Sequence, residues 1–215
     1  MTKVSDTEAT GSIDATPGID ATPSTIDGVL RLEADAVAVR FERHYATDVA
    51  DLWSAITKPA RLARWFETVE AADGGLCEGG GYRIDWGEGG ITEGAIERCR
   101  PPHELQVTWT FPGEPTSLLV VQLRPASGGA DAVEGDEPGA VLVIDHSRLP
   151  ATQAAGYGAG WHAYLDRLAA EGVASGSDDA ASPHGGFDWD QRWSELMPAY
   201  RAALTALTEA SADPT

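Results

Sequence analysis

A chain of 215 residues, 42% of them hydrophobic, can bury one core of about 150 residues and still carry peripheral segments. Its formal net charge of -19, with two lysines (Lys3 and Lys58) beside thirteen arginines, repels phosphate backbones and anionic lipid, which argues against nucleic acid and membrane surfaces as partners. No apolar run reaches the roughly 18 residues of a membrane span, and the start MTKVSDTEAT lacks the basic and apolar stretches of a signal peptide, so a cytoplasmic address is expected.

The first 28 residues hold a tandem IDATP repeat (13–17 and 19–23) in a setting of Thr, Ser, Asp, Gly and Pro, too polar to offset the entropy of ordering, and read as a disordered tail. Structure is expected from about Val29. Between Asp35 and Tyr45 the apolar side chains of Val37, Val39, Phe41 and Tyr45 alternate with Ala38, Arg40, Glu42 and His44, the period of a strand with one buried face. Thr47 or Asp48 then caps a short helix marked by Val49, Leu52, Trp53 and Ile56. Pro59 opens a second, with Leu62, Trp65 and Phe66 on its apolar side.

Five strand-like runs follow. Tyr82, Ile84 and Trp86 alternate, Gly87 to Gly90 turns, and Ile91 to Arg100 returns as a hairpin with Trp86 set opposite Ile91. Carried backwards, that register brings Cys77 close to Cys99, both expected as thiols in a reducing compartment. Glu104 to Phe111 places Leu105, Val107, Trp109 and Phe111 on one face, and Ser117 to Arg124 and Ala140 to Arg148 complete the set around a Gly-rich acidic loop, Ser127 to Gly139, expected to be mobile. From Thr152 to Ala170 the spacing turns helical, with Tyr157, Trp161, Tyr164, Leu165 and Leu168 on one side. Gly156, Gly158 and Gly160 either hold backbone close to the sheet or leave room for a ligand, or else the helix begins only near Gly158. A linker, Val173 to Gly186, leads to an amphipathic arm (187–215) with Trp189, Trp193, Leu196, Tyr200, Leu204 and Leu207 in a stripe, which Pro198 should kink or divide. The arm is expected to dock on its own domain or on a second subunit.

The segments DVADLWSAITKPARLARWF (48–66), GGGYRIDW (79–86), PPHELQVTW (101–109) and GAGWHAYLDRLAAEG (158–172) resemble the SRPBCC or START-like superfamily, in the branch homologous to the activator of the heat-shock-protein ATPase. The resemblance spans about Val37 to Gly172 within a domain read as 29–172. It implies an α+β helix-grip fold, a curved antiparallel sheet of about six strands wrapped around a long C-terminal helix, with two short helices after the first strand and an apolar cavity between sheet and helix. Members bind lipids, sterols, polyketides or hormones, some act as cyclases or aromatases, and some bind chaperones. The long tail, the acidic loop and the tryptophan arm depart from that pattern.

The cavity's expected wall is Trp65, Tyr82, Trp86, Trp109, Phe111, His146, Trp161 and Tyr164, since ligand sites are mostly apolar with a few polar anchors. Each of these aromatics is equally the kind of residue that fills a core. His146, sharing a strand face with Leu142 and Ile144, points inward, where a histidine either titrates and moves a proton or is simply hydrogen-bonded. Ser147 points to the opposite face, against a nucleophile and base pair, while Asp145 and Asp166 are placed on outer faces. Two cysteines and five scattered histidines lack metal-ligand spacing, and the glycine runs lack the Lys and Ser/Thr of a phosphate loop, so no metal, cofactor or catalytic residue is assigned. Binding of a small apolar or amphipathic molecule is the leading expectation. A cyclase-like or aromatase-like enzyme, and a chaperone or protein-interaction module acting through the arm, are the alternatives.

Overall fold

The computed structural model describes residues 25–71, 76, 78–126, 139–170 and 186–212. The readings of residues 1–24 as tail, of 127–138 as a mobile loop, of 173–185 as a linker, and of Cys77 beside Cys99 lie outside the described residues.

The alternating run after Asp35 is strand β2 (Ala36–Tyr45), flanked on one side by β1 (Val29–Glu33) and on the other by β8 (Ala140–Leu149). A register shift between Val37 and Val39 buries Val37, Ala38 and Val39 together, so strict alternation is interrupted there. Asp48 caps α1 (Val49–Thr57), its carboxylate accepting from the Asp51 N–H at 2.7 Å. Pro59 opens α2 (Pro59–Leu62), where its missing N–H is one of those a helix start leaves unpaired anyway. Then come β3 (Val69–Ala71), β4 (Gly81–Asp85), β5 (Ile91–Arg100), β6 (Glu104–Trp109) and β7 (Ser117–Pro125).

The strands form one curved antiparallel sheet in the order β1-β2-β8-β7-β6-β5-β4-β3, and the long helix α3 (Ala154–Ala170) lies across it. This is the helix-grip arrangement, with eight strands where six were expected. The two additions are five and three residues long, too short for their periodicity to register in the sequence. The β4–β5 hairpin is also one residue out of its expected register: Asp85, not Trp86, faces Ile91, because a single 3-10 turn over Gly87–Gly89 takes Trp86 out of the ladder. Phe111, expected at the end of β6, lies two residues beyond it and is half-buried.

Helix α3 begins at Ala154, so all three glycines lie inside it. The reason is the arm. Its helix α4 (Trp189–Ala212) packs on α3, and a Cβ built on Gly158 would meet the Tyr200 ring at 2.5 Å. Gly158 thus admits a ring from the neighbouring helix, where the sequence suggested the sheet or a ligand. The Tyr200 hydroxyl accepts from the Gly28 N–H at 3.2 Å and lies 3.1 Å from His162 Nδ1, which ties the arm to the chain before β1. Asp166, expected on an outer face, sits under the arm and accepts from Arg43 and Arg192, both at 2.7 Å. Pro198 does not divide α4: the helix runs unbroken for 24 residues, with Leu196, Met197 and Tyr200 buried on either side of the proline.

Gly158→Ala is therefore expected to destabilise the protein by about 1–3 kcal/mol through overpacking, despite alanine's better helix propensity. In a Tyr200→Leu background the same change should be neutral or stabilising. A pair of urea titrations checks this, and equal losses in both backgrounds would show that Tyr200 is not what the glycine accommodates.

Candidate functional site

Two cavities lie beneath and beside α3. The inner one, of about 80 Å³, lies between the sheet and the segment following α2. Of the candidate residues, Trp65, Tyr82, Trp109 and Trp161 line it, with aliphatic side chains such as Leu105, Val107, Leu142 and Ile144 filling the rest of its wall. The Tyr82 hydroxyl, expected as a polar anchor, already donates to the Thr108 carbonyl at 2.8 Å. An apolar space of this size admits a methyl-sized or small-ring group, well short of the roughly 300 Å³ at which ligand pockets begin.

The outer cleft holds about 370 Å³. Trp86, Trp109, Phe111, Trp161 and Tyr164 of the candidate set line it, joined by Phe66, Tyr157, Trp189 and Trp193. The helical spacing that aligns Tyr157, Trp161 and Tyr164 on α3 is repeated by Trp189 and Trp193 on α4, so each helix presents an aromatic edge to the same space. Phe66, Trp109 and Trp161 line both cavities and form the partition between them. Within it, Phe66 stacks on Trp161 at 5.6 Å and 10°. The polar members of the outer wall are Gln153, Glu114 between β6 and β7, and Asp190 in the first turn of α4.

The aromatic rings are held at their edges. Trp86 Nε1 donates to Thr92 Oγ1 at 2.9 Å, Trp109 Nε1 to the Tyr157 hydroxyl at 3.2 Å, and Trp193 Nε1 to the Gly156 carbonyl at 3.3 Å. The Tyr157 hydroxyl donates in turn to Glu114 Oε2 at 2.8 Å. Trp189 Nε1 is buried and has no hydrogen-bond partner among the described residues. Below Tyr164, the Arg167 guanidinium sits 5.1 Å from the ring centroid and donates to the carbonyls of Trp65 (2.7 Å) and Phe66 (3.2 Å), fixing the turn that presents Phe66.

His146 lines neither cavity. It points inward from β8 as the alternation requires, but it is fully buried behind the partition. An indole N–H can only donate, so the 3.0 Å bond from Trp161 Nε1 to Nδ1 leaves Nδ1 unprotonated and puts the single ring proton on Nε2. That nitrogen donates to Ser117 Oγ at 2.8 Å, and Ser117 donates to the Trp109 carbonyl at 3.2 Å. Burial pushes the imidazole's pKa down to about 3, so the ring is neutral near pH 7. With Nδ1 occupied and Nε2 protonated, it has no lone pair with which to activate Ser117. The histidine orients Trp161 and is not a base for substrate.

Tyr157, Trp189, Trp193, Phe66, Glu114 and Ser117 were absent from the sequence-derived site. The first five come from elements meeting only in the folded chain. Ser117 is on β7, diagonal to His146 across a pairing that sets Leu119 opposite it, so finding it needed the register. Ser147 does turn away, donating to the Leu118 carbonyl at 3.4 Å. Among the described residues no group of three His, Cys, Asp or Glu side chains could hold a metal ion, and no helix is long and apolar enough to cross a membrane.

The family model described as "Activator of Hsp90 ATPase homolog 1-like protein" matches residues 46–171. Among solved structures, CalU16 from Micromonospora echinospora is similar in both its crystal form (TM-score 0.59, 25% identity, 82% of this chain and 94% of that one) and its solution form (TM-score 0.60, 25% identity, 87% and 99%). EF2215 from Enterococcus faecalis, a conserved protein of unknown function, shares the fold at a TM-score of 0.59 and 21% identity over 84% of this chain and 91% of its own. DynU16, a protein of the dynemicin biosynthetic locus, is 28% identical with a TM-score of 0.51 over 62% of this chain and 46% of that one. No curated protein matches significantly. The family match ends at residue 171, so the α4 wall of the outer cleft lies outside it.

Proposed function

This chain belongs to the Activator of Hsp90 ATPase homolog 1-like family, and from that premise we propose that it binds a small apolar or amphipathic molecule in the outer cleft without transforming it. The observation that carries the reading is the 370 Å³ space walled by aromatic side chains of α3, α4 and the sheet, a volume within the usual range for small-molecule sites. The inner cavity would take an apolar end of the ligand once Phe66 or Trp161 turns aside. The likeness to DynU16, a protein of a biosynthetic locus, supports a small-molecule setting.

A cyclase-like enzyme would need titratable groups converging on the ligand, and the one histidine proposed for that work has both ring nitrogens engaged in the core. A module binding a chaperone or other protein would need an exposed apolar patch. Among the described residues the exposed large hydrophobics are Val29 and Ile91, at 63% and 37%, and the apolar stripe of the arm is turned onto its own domain.

Gly156 provides the test. It lines the cleft, and a Cβ built there would meet nothing within 4 Å, so the side chain of Gly156→Phe can leave the backbone freely and should occupy the site. Gly156 lies in the first turn of α3, where replacing a glycine by a residue of higher helix propensity should at least hold the melting temperature. The neutral solvatochromic dye prodan is expected to bind the wild type one to one with a blue-shifted emission, and Gly156→Phe to abolish that binding. Unchanged affinity in a folded variant would place the site elsewhere.

A further inference from the structure

We propose that the molecule bound in the outer cleft carries a positively charged amine on an apolar or aromatic body, an inference that rests on the binding reading and names its ligand class. Three features converge on this. The only charged groups among the described residues lining the cleft are carboxylates, Glu114 and Asp190, one on the β6–β7 connection and the other on α4. Glu114 is fixed through Oε2 by the Tyr157 hydroxyl, which leaves Oε1 for a ligand, and Asp190 has no ion-pair partner among the described residues. Among the described residues no lysine or arginine neutralises either carboxylate, although Asp166, Asp51 and Glu67 are paired with arginines elsewhere.

The second feature is the kind of surface between them. Trp189 lies 5.0 Å from Tyr164 at a tilt of 37° and stacks nearly parallel on Trp193 at 6.3 Å and 19°, with Trp193 tied by its edge to the Gly156 carbonyl, so the wall of the cleft is a continuous aromatic surface. Ring faces are the negative ends of aromatic quadrupoles and attract ammonium groups, most strongly where water is excluded. Tyr164 already engages a cation in this way, with the Arg167 guanidinium 5.1 Å from its centroid on the core side. The third feature is the field of the whole chain: a net charge of -19 concentrates small cations around the molecule and repels anions. An anionic lipid or fatty acid, by contrast, would meet two carboxylates and no counter-charge.

The experiment compares three naphthyl probes by tryptophan quenching: (2-naphthylmethyl)trimethylammonium, its neutral isostere 2-neopentylnaphthalene, and the smaller anion naphthalene-2-acetate, the carboxylate of naphthalen-2-ylacetic acid. The cation is expected to bind roughly tenfold or more tightly than the neutral isostere, and the anion more weakly than either. In the Glu114→Gln, Asp190→Asn double variant the preference for the cation should shrink while the neutral isostere binds as before. The carboxamide oxygen that replaces the carboxylate at position 114 can still accept from the Tyr157 hydroxyl, so the wall keeps its shape. Equal binding of cation and neutral isostere, or preference for the anion, would overturn the charged-amine inference while leaving the binding reading intact. No binding of any probe to the wild type, nor of prodan, would overturn both.

Discussion

Removing residues 187–215 is expected to lower the melting temperature by on the order of 10 °C or more. The arm buries Leu196 and Tyr200 completely and Met197 nearly so. Each large apolar side chain withdrawn from water contributes about 1.5–3 kcal/mol, a sum that is an upper bound because the unfolded chain is itself partly collapsed. Set against total stabilities of about 5–15 kcal/mol, and at about 2–4 °C per kcal/mol for a chain this long, the loss is large. Truncation also strands groups that α4 satisfies: the Gly28 N–H loses the Tyr200 hydroxyl, and Asp166 loses Arg192. Two measurements check this. Differential scanning calorimetry of the truncated and full-length chains reads the stability, and prodan titration reads whether loss of Trp189 and Trp193 opens the cleft. A truncated chain that melts with the full-length one would show the docked arm to be energetically idle.

What the sequence revealed and what it hid divide along the range of the interactions. Strand β2, the Asp48 cap, Pro59 at the start of α2 and the aromatic edge of α3 were all legible, because each follows from residues within one or two turns of each other. Strands β1 and β3 offer too few residues for a period to declare itself and exist because a neighbouring strand pairs with them. The hairpin register slipped by one residue because the 3-10 turn at Gly87–Gly89 is a choice of backbone geometry among several that the glycines permit.

The site divides in the same way. Alternation was enough to send His146 inward, but not to show that Trp161 and Ser117 would meet it there, since those contacts depend on the helix position and on strand register. The glycines of α3 were visible as anomalies with no assignable cause. Their roles differ only because of what α4 brings: Gly158 receives the Tyr200 ring, while Gly156 faces open cleft. The glycines are therefore written in one segment and explained by another.

Lowering the pH from about 6.5 toward 3 is expected to destabilise the protein steeply, with His146 as the main histidine responsible. Its neutral form is held by two hydrogen bonds in a site without solvent, and burial depresses its pKa to about 3 in the folded state, against about 6.5 in an unfolded chain. Above pH 6.5 neither state binds the proton, and the full stability is present. Below it the unfolded chain takes up a proton that the folded one refuses, so stability falls by up to about 1.4 kcal/mol per pH unit until the folded pKa is reached, on the order of 3–6 kcal/mol in all. His162 is also shifted down, by burial opposed by Asp27 and Asp166, and adds to the loss with the same sign. Urea midpoints measured from pH 7.5 to 4 on the wild type and on His146→Gln separate the contributions: the variant should be less stable at pH 7.5, yet show a shallower decline between pH 6.5 and 4. Parallel curves would assign the acid sensitivity to other groups. The consequence for the site follows from the same bond, because a proton on Nδ1 would turn the acceptor of the Trp161 indole into a second donor. Trp161 would then lose the contact that orients it, but the folded protein takes that proton only near pH 3, well below the pH at which stability begins to fall, so the partition between the inner cavity and the outer cleft keeps its Trp161–His146 bond for as long as the fold persists.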